Sequence, residues 1–210
     1  MDTLISMKPD ALIIRDKNNF SPHEIYQKHK IPILNAGDGT NEHPTQALLD
    51  LCVIKSVFKD KKIKIGICGD IKHSRVAHSN IKLFSKLNHE IHIIAPNYFL
   101  DKKELTKINR KLVFHKSLSK LPKLDVIMML RVQKERISKN AKSYMNSFKK
   151  DFCLNLNHLK NQPYLMHPGP VNRNIEIDSK VLDSYSKSLI LRQVDMGVYL
   201  RMACLDFILK

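Results

Sequence analysis

Short apolar runs alternate with stretches of helical period along most of the chain. IKIGICGD (63–70), EIHIIAP (90–96) and LDVIMMLR (124–131) are too short for buried helices and mostly apolar, as strands are when both faces of a sheet are covered. Between the first two, SRVAHSNIKLFSKLN (74–88) sets Val76, Ile81, Phe84 and Leu87 on one helical face. KKELTKINRK is charged and helical, LVFH (112–115) reads as a short strand, and YLMHPGP (164–170) as a strand entering a tight turn. Strand–helix alternation at this spacing predicts an α/β fold with a doubly wound parallel sheet and crossover helices.

Upstream, ALIIR (11–15) and IPILNAG (31–37) read as strands around a helix at 22–30, with Ser21 as N-cap and Pro22 at its first position. From Pro44 to Phe58, Ala47, Leu48, Leu51, Ile54 and Val57 recur at helical spacing. SLILRQVDMGVYLRMACLDFIL (188–209) predicts a closing helix of broad apolar character. Residues 1–43 hold too few elements to make a domain of their own.

In an open parallel sheet, ligands bind beyond the carboxyl ends of the strands. The predicted strands deliver Arg15, His43, His73, Ser74, Arg75, Arg131, Gln133, His167, Gly169, Pro170 and Arg173 to those ends, with Gln46 one turn into the helix after His43. The stretch NAGDGTNEHPTQALLDL (35–51) is the densest of these. Gly37 and Gly39 permit positive φ or close backbone approach. Pro44 presets a helical turn whose free N–H groups favour an anion. His43 and Gln46, three apart, can face one site. Arginine forks bind carboxylate or phosphate through paired hydrogen bonds, so several of them around one crevice imply polyanionic ligands. GICGDIKHSR has a single glycine in its turn and lacks the GxGxxG spacing of a dinucleotide site.

The remaining features narrow the class. Thirty-six Lys and Arg against twenty Asp and Glu leave a net charge of +16, but the lysines are spread along the chain without an RNA-binding aromatic motif or a Gly/Arg tract. A basic field that attracts anionic small molecules is the expectation, with neither nucleic acid nor membrane as partner. Cys52, Cys68, Cys153 and Cys204 are isolated and read as buried thiols in a reducing cytoplasm, not as a metal site. No basic stretch followed by a long apolar run opens the chain, so no secretory signal is expected.

NAGDGTNEHPTQALLDL, GDIKHSRVAHSN, MMLRVQKER and HPGPVNRNIEID together resemble the catalytic chains of the aspartate/ornithine carbamoyltransferase superfamily, in order and over essentially all 210 residues. The HPGP turn and RVQKER are of the aspartate type; ornithine enzymes close that turn with a cysteine-bearing HCLP. The resemblance implies carbamoyl transfer from carbamoyl phosphate to L-aspartate, an early step of de novo pyrimidine biosynthesis, with no metal or organic cofactor. It implies that Arg15, His43, Gln46, Gly169 and Pro170 hold carbamoyl phosphate, with Arg15 and His43 polarising its carbonyl. Arg75, Arg131 and Gln133 would hold the carboxylates of aspartate. It also implies residues 1–43 as a partial carbamoyl-phosphate-binding domain, 44–59 as an interdomain helix, 60–187 as an aspartate-binding domain, and 188–210 as a C-terminal helix packing back toward the first.

His73 and His78 read as structural or surface residues and His167 as support for the turn. Lys134, Glu135 and Arg136 read equally as local ion pairs or interdomain latches. The family pattern includes a Ser-Thr-Arg-Thr-Arg loop and a later loop whose serine and lysine enter a neighbouring subunit's site. Neither string occurs in these residues. The expectation is therefore a truncated or split chain, weakly active or inactive alone and trimeric once the N-terminal half is supplied. The alternative is a non-catalytic relative that binds amino acid or joins another subunit. Whether regulatory chains attach stays open.

Overall fold

The computed structural model describes residues 1–133 and 148–210. A short helix α1 (Asp2–Ser6) precedes strand β1 (Leu12–Asp16), helix α2 (Pro22–His29), strand β2 (Ile33–Asp38) and the long helix α3 (Pro44–Phe58). Then follow β3 (Lys64–Cys68), α4 (Arg75–Lys86), β4 (Glu90–Ile94), α5 (Lys102–Ile108), β5 (Val113–His115), β6 (Val126–Met129), β7 (Tyr164–Met166), α6 (Ser179–Ser184) and α7 (Ile190–Ile208). No helix among the described residues is long and apolar enough to cross a membrane.

The local signals act where they stand. Ser21 caps α2 by accepting from Glu24 N at 3.3 Å, and Pro22 occupies the first turn. Ser74 caps α4 by accepting from Ala77 N at 3.1 Å. His43 stands at the N-cap of α3 without capping through its ring; its own N–H donates instead to Ser79 Oγ on α4 at 2.9 Å. That bond ties the start of α3 to α4.

The strands form two parallel sheets. β1 and β2 make a two-stranded ribbon, Leu12 opposite Ile33 and Ile14 opposite Asn35. The second sheet runs β5-β4-β3-β6-β7, with Ile65 of β3 opposite Ile91 of β4 and Val126 of β6. The strand order reverses between β3 and β6, so the sheet is doubly wound and carries a crevice beyond the carboxyl ends of those two strands. Its core is built from Ile65, Ile67, Ile93, Val126, Met128 and Leu165, all fully buried, with Val53 of α3 and Ile81 and Phe84 of α4 packed on them. Continuous burial explains why these strands read as unbroken apolar runs.

The burial of the N-terminal ribbon and of α7 is uneven. Ile13 on β1 is exposed, and so are Leu191, Val194, Val198 and Phe207 on α7. Of the four cysteines only Cys68 is fully buried; Cys52, Cys153 and Cys204 are half-buried, a correction to the expectation that all four lie in the core. Two of the three lie on α3 and α7, the helices that line the less covered side.

Candidate active site

A cavity of about 300 Å³ opens beyond the carboxyl ends of both sheets. From the two-stranded ribbon and α3 come Arg15, His43 and Gln46. From the doubly wound sheet come Ser74 and Arg75 after β3, Arg131 and Gln133 after β6, and Gly169 and Pro170 after β7. Arg201 reaches in from α7. The eight residues to which the resemblance assigns substrate contacts therefore line one cavity. Three larger clefts, of about 570, 530 and 650 Å³, lie elsewhere among the described residues, but none of them gathers arginines. The concentration of cations, not the volume, marks the site.

Arg75 is 9% exposed, and its Nη1 donates to the carbonyl of Asp16 at the end of β1, 3.2 Å away. Gly37 makes the space for it: a Cβ there would lie 2.6 Å from Arg75 Cζ, and φ at Gly37 is +119°. The glycine anticipated as a backbone approach to a ligand thus admits a guanidinium from the other sheet.

His43 is 8% exposed among cations. Burial first, then Arg75, Arg15 and Arg201, lower its pKa from 6.5 to about 4, with Asp38 opposing. The ring is therefore neutral at physiological pH. Thr45 Oγ1 lies 3.3 Å from its Nδ1. A hydroxyl donated to Nδ1 leaves the proton on Nε2, making the imidazole a neutral hydrogen-bond donor.

Behind the cavity lies a polar network within the apolar interior. Asp50, on α3 and fully buried, accepts from Gln46 Nε2 at 3.0 Å, Gln193 Nε2 at 2.8 Å and Asn80 Nδ2 at 2.7 Å. Burial raises its carboxyl pKa to about 6, against those three hydrogen bonds. Gln193 Oε1 in turn accepts from His167 N at 2.8 Å, and His167 Nδ1 accepts from Gly169 N at 2.8 Å. His167 supports the turn, as its sequence position suggests. Its pKa is lowered to about 4 by burial and then by Arg131.

The other candidates go elsewhere. His73 bonds the buried Asp70 through Nδ1 at 2.9 Å, and its carbonyl accepts from Gln133 Nε2 at 2.9 Å. His78 Nδ1 donates to Thr40 O at 2.7 Å. Neither ring lines the cavity. Arg173 is exposed and forms a two-bond ion pair with Asp183, at 3.0 and 2.7 Å. Lys134, Glu135 and Arg136 lie outside the described residues. Arg201, Asp50 and Gln193 were not singled out from the sequence. The spacing of Gln46 and Asp50, one turn apart on a helix that is otherwise apolar from Ala47 to Ile54, was the signal available for the pair.

Comparison with known proteins agrees with this geometry. Residues 61–208 match the model described as aspartate/ornithine carbamoyltransferase, Asp/Orn binding domain, and residues 1–56 match the carbamoyl-P binding domain of the same family. The chain belongs to the aspartate/ornithine carbamoyltransferase family. As a family member it is 43% identical over 207 residues to the aspartate carbamoyltransferase catalytic subunit of Pelagibacter ubique, covering 97% of this chain and 66% of that protein. It is 41% identical to the corresponding subunit of Parvibaculum lavamentivorans, covering 97% of this chain and 63% of that one. The chain thus spans slightly less than two thirds of the length of these curated relatives. Among solved structures, aspartate transcarbamoylase from Trypanosoma cruzi in complex with N-(phosphonacetyl)-L-aspartic acid superposes with a TM-score of 0.83 at 31% identity, covering 97% of this chain and 67% of that one. The same enzyme in complex with carbamoyl phosphate gives the same TM-score and coverage.

Proposed function

We propose that this carbamoyltransferase-family chain brings carbamoyl phosphate and L-aspartate together in the cavity and transfers the carbamoyl group to the aspartate amine. The products are N-carbamoyl-L-aspartate and phosphate, an early step of de novo pyrimidine biosynthesis in the cytoplasm. The observation that carries this reading is the convergence of Arg15, Arg75, Arg131 and Arg201 with the neutral imidazole of His43 on one cavity fed by both sheets. The choice of ligands is supported by the T. cruzi complexes with carbamoyl phosphate and with N-(phosphonacetyl)-L-aspartic acid.

In this reading Arg15 and His43 donate to the carbamoyl oxygen, while Gln46 and the backbone at Gly169 and Pro170 hold the carbamoyl group. Arg75 and Arg131 bind the two carboxylates of aspartate. Gln133 already gives one N–H to the carbonyl of His73, so its second N–H is the one left for a carboxylate. The neutral amine forms a bond to the carbamoyl carbon and the carbonyl electrons move onto oxygen; the carbonyl then re-forms as the bond to phosphate breaks, phosphate taking that electron pair and the proton released by the amine nitrogen. A neutral histidine stabilises that oxyanion by hydrogen bonding without surrendering its proton. Removing one donor aimed at an oxyanion costs about 3–4 kcal/mol of barrier. Fixing two anionic reactants side by side lowers the barrier further through orientation.

The domain division belongs to the same proposal: 1–43 on the carbamoyl-phosphate side, 44–59 bridging, 60–187 on the aspartate side, and 188–210 returning across the bridge. So does a homotrimeric assembly for a chain carrying the Ser-Thr-Arg-Thr-Arg loop. The 210 residues alone are expected to turn over far below the order of 10 per second typical of enzymes. Assaying carbamoyl-aspartate formation with and without the N-terminal segment of a relative tests this. Turnover that appears with the segment supports the proposal. A folded combination that stays inactive favours the alternative of a non-catalytic binding protein.

A further inference from the structure

Three side-chain amides from three helices end on one buried carboxylate, and that fixes which way each of them faces. The oxygens of an ionised carboxylate accept hydrogen bonds and donate none. Gln46, Gln193 and Asn80 must therefore turn nitrogen toward Asp50 and oxygen away. The usual ambiguity between amide oxygen and nitrogen is removed here by chemistry. For Gln193 the outward oxygen accepts from His167 N. For Gln46, which lines the cavity, it is the oxygen that remains for a ligand. The arginines around it are donors only.

We propose that Asp50 is a positioning residue that holds the Gln46 amide with its oxygen toward the cavity, so that the site presents an acceptor to the NH₂ of a carbamoyl group. This arrangement separates carbamoyl phosphate from acyl phosphates of the same shape that carry a methyl group. The inference rests on the proposed function and adds the origin of its selectivity. The geometry favours rigidity: Gln46 and Asp50 share α3, and the second amide on the same oxygen, Gln193, comes from α7. Among the described residues no cation is paired with Asp50, so the amides alone satisfy it.

The test compares the affinity of the full chain for carbamoyl phosphate and acetyl phosphate by calorimetry, in the native protein, Asp50→Asn, Asp50→Leu and Gln46→Met. Asp50→Asn keeps an oxygen for Gln46 and Gln193. Its new NH₂ faces Asn80, whose Oδ1 is buried without a partner among the described residues and becomes the acceptor once that amide turns over. The preference for carbamoyl phosphate is therefore retained in Asp50→Asn. It falls about tenfold in Asp50→Leu and in Gln46→Met, the value of one hydrogen bond. An unchanged preference in a folded Asp50→Leu protein, beside a clear preference in the native one, overturns the inference and leaves the functional reading standing. Absence of carbamoyl phosphate binding by the native chain counts against the functional reading and, with it, the selectivity. Should Asp50→Leu fail to fold, the side-chain amide protons of Gln46 in the native protein decide: slow hydrogen exchange supports the tether, and exchange at the rate of a free amide overturns it.

Discussion

His43 shows how a single residue's environment sets what it can do. Burial and three guanidinium groups keep its ring neutral, so under the proposed function it can offer a hydrogen-bond donor where a protonated imidazole would repel the neighbouring arginines. Because Arg75 is the largest electrostatic contributor, Arg75→Met is expected to move the His43 titration, followed by NMR of the ring, upward from about 4 toward 6.5. An unmoved midpoint would mean that Arg75 takes no part in setting it. Residues of this kind were legible because their position relative to strand ends is a sequence property: Arg15 and Arg131 each follow an apolar run directly, and Gly169 comes three residues after one. Arg201 was not. It sits inside a helix that reads as a core element, and only the crossing of α7 over α3 brings it to the cavity.

At the scale of elements, α3 and α7 decide the geometry. Gly197 lets them approach: a Cβ there would lie 3.0 Å from Leu49 Cδ1 on α3 and 2.6 Å from Arg201 Nη1. Arg201 donates that same Nη1 to Gly197 O at 2.9 Å, so the glycine shapes both the packing and the placement of the fourth arginine. Gly197→Leu is expected to destabilise the fold by about 1–3 kcal/mol through overpacking, read from the urea midpoint at constant slope. It should also weaken anion binding, whereas loss of the α2 cap in Ser21→Ala costs about 1 kcal/mol without touching the site. The elements themselves were readable from period and caps. The exposed side of α7 was not, because broad apolar character does not say which face meets the rest of the molecule.

For the whole molecule, two sheets contribute to one cavity, and the same buried groups govern its response to acid. His43 and His167 have folded pKa values near 4, against 6.5 ordinarily, so the unfolded chain takes up protons first as pH falls below 6.5. Their contribution to stability is complete above 6.5 and is lost as pH falls toward 4. Asp50 acts in the opposite sense: raised to about 6 from 3.8, it disfavours the folded state as pH rises through that window. Burial also lowers the pKa of His78, His89, His115 and His158, and raises that of Asp70 and Glu176. Among the described residues six lowered histidines outweigh three raised carboxyls, so the urea midpoint is expected to fall between pH 7 and pH 5, and less steeply in His167→Gln. A midpoint independent of pH would contradict this balance.

The account as a whole stands on strand-end arginines from separate sheets gripping two anions at once. Calorimetric titration with N-(phosphonacetyl)-L-aspartic acid tests that most directly, using the native chain, Arg15→Met from the two-stranded ribbon, Arg131→Met from the other sheet and, as a control, Arg173→Met, whose arginine is paired with Asp183 away from the cavity. The account predicts saturable one-site binding by the native chain, retained in Arg173→Met and weakened at least tenfold in each of the other two, as loss of a charge-assisted contact implies. Equal affinity in all four proteins, or no binding by the native chain, would contradict it.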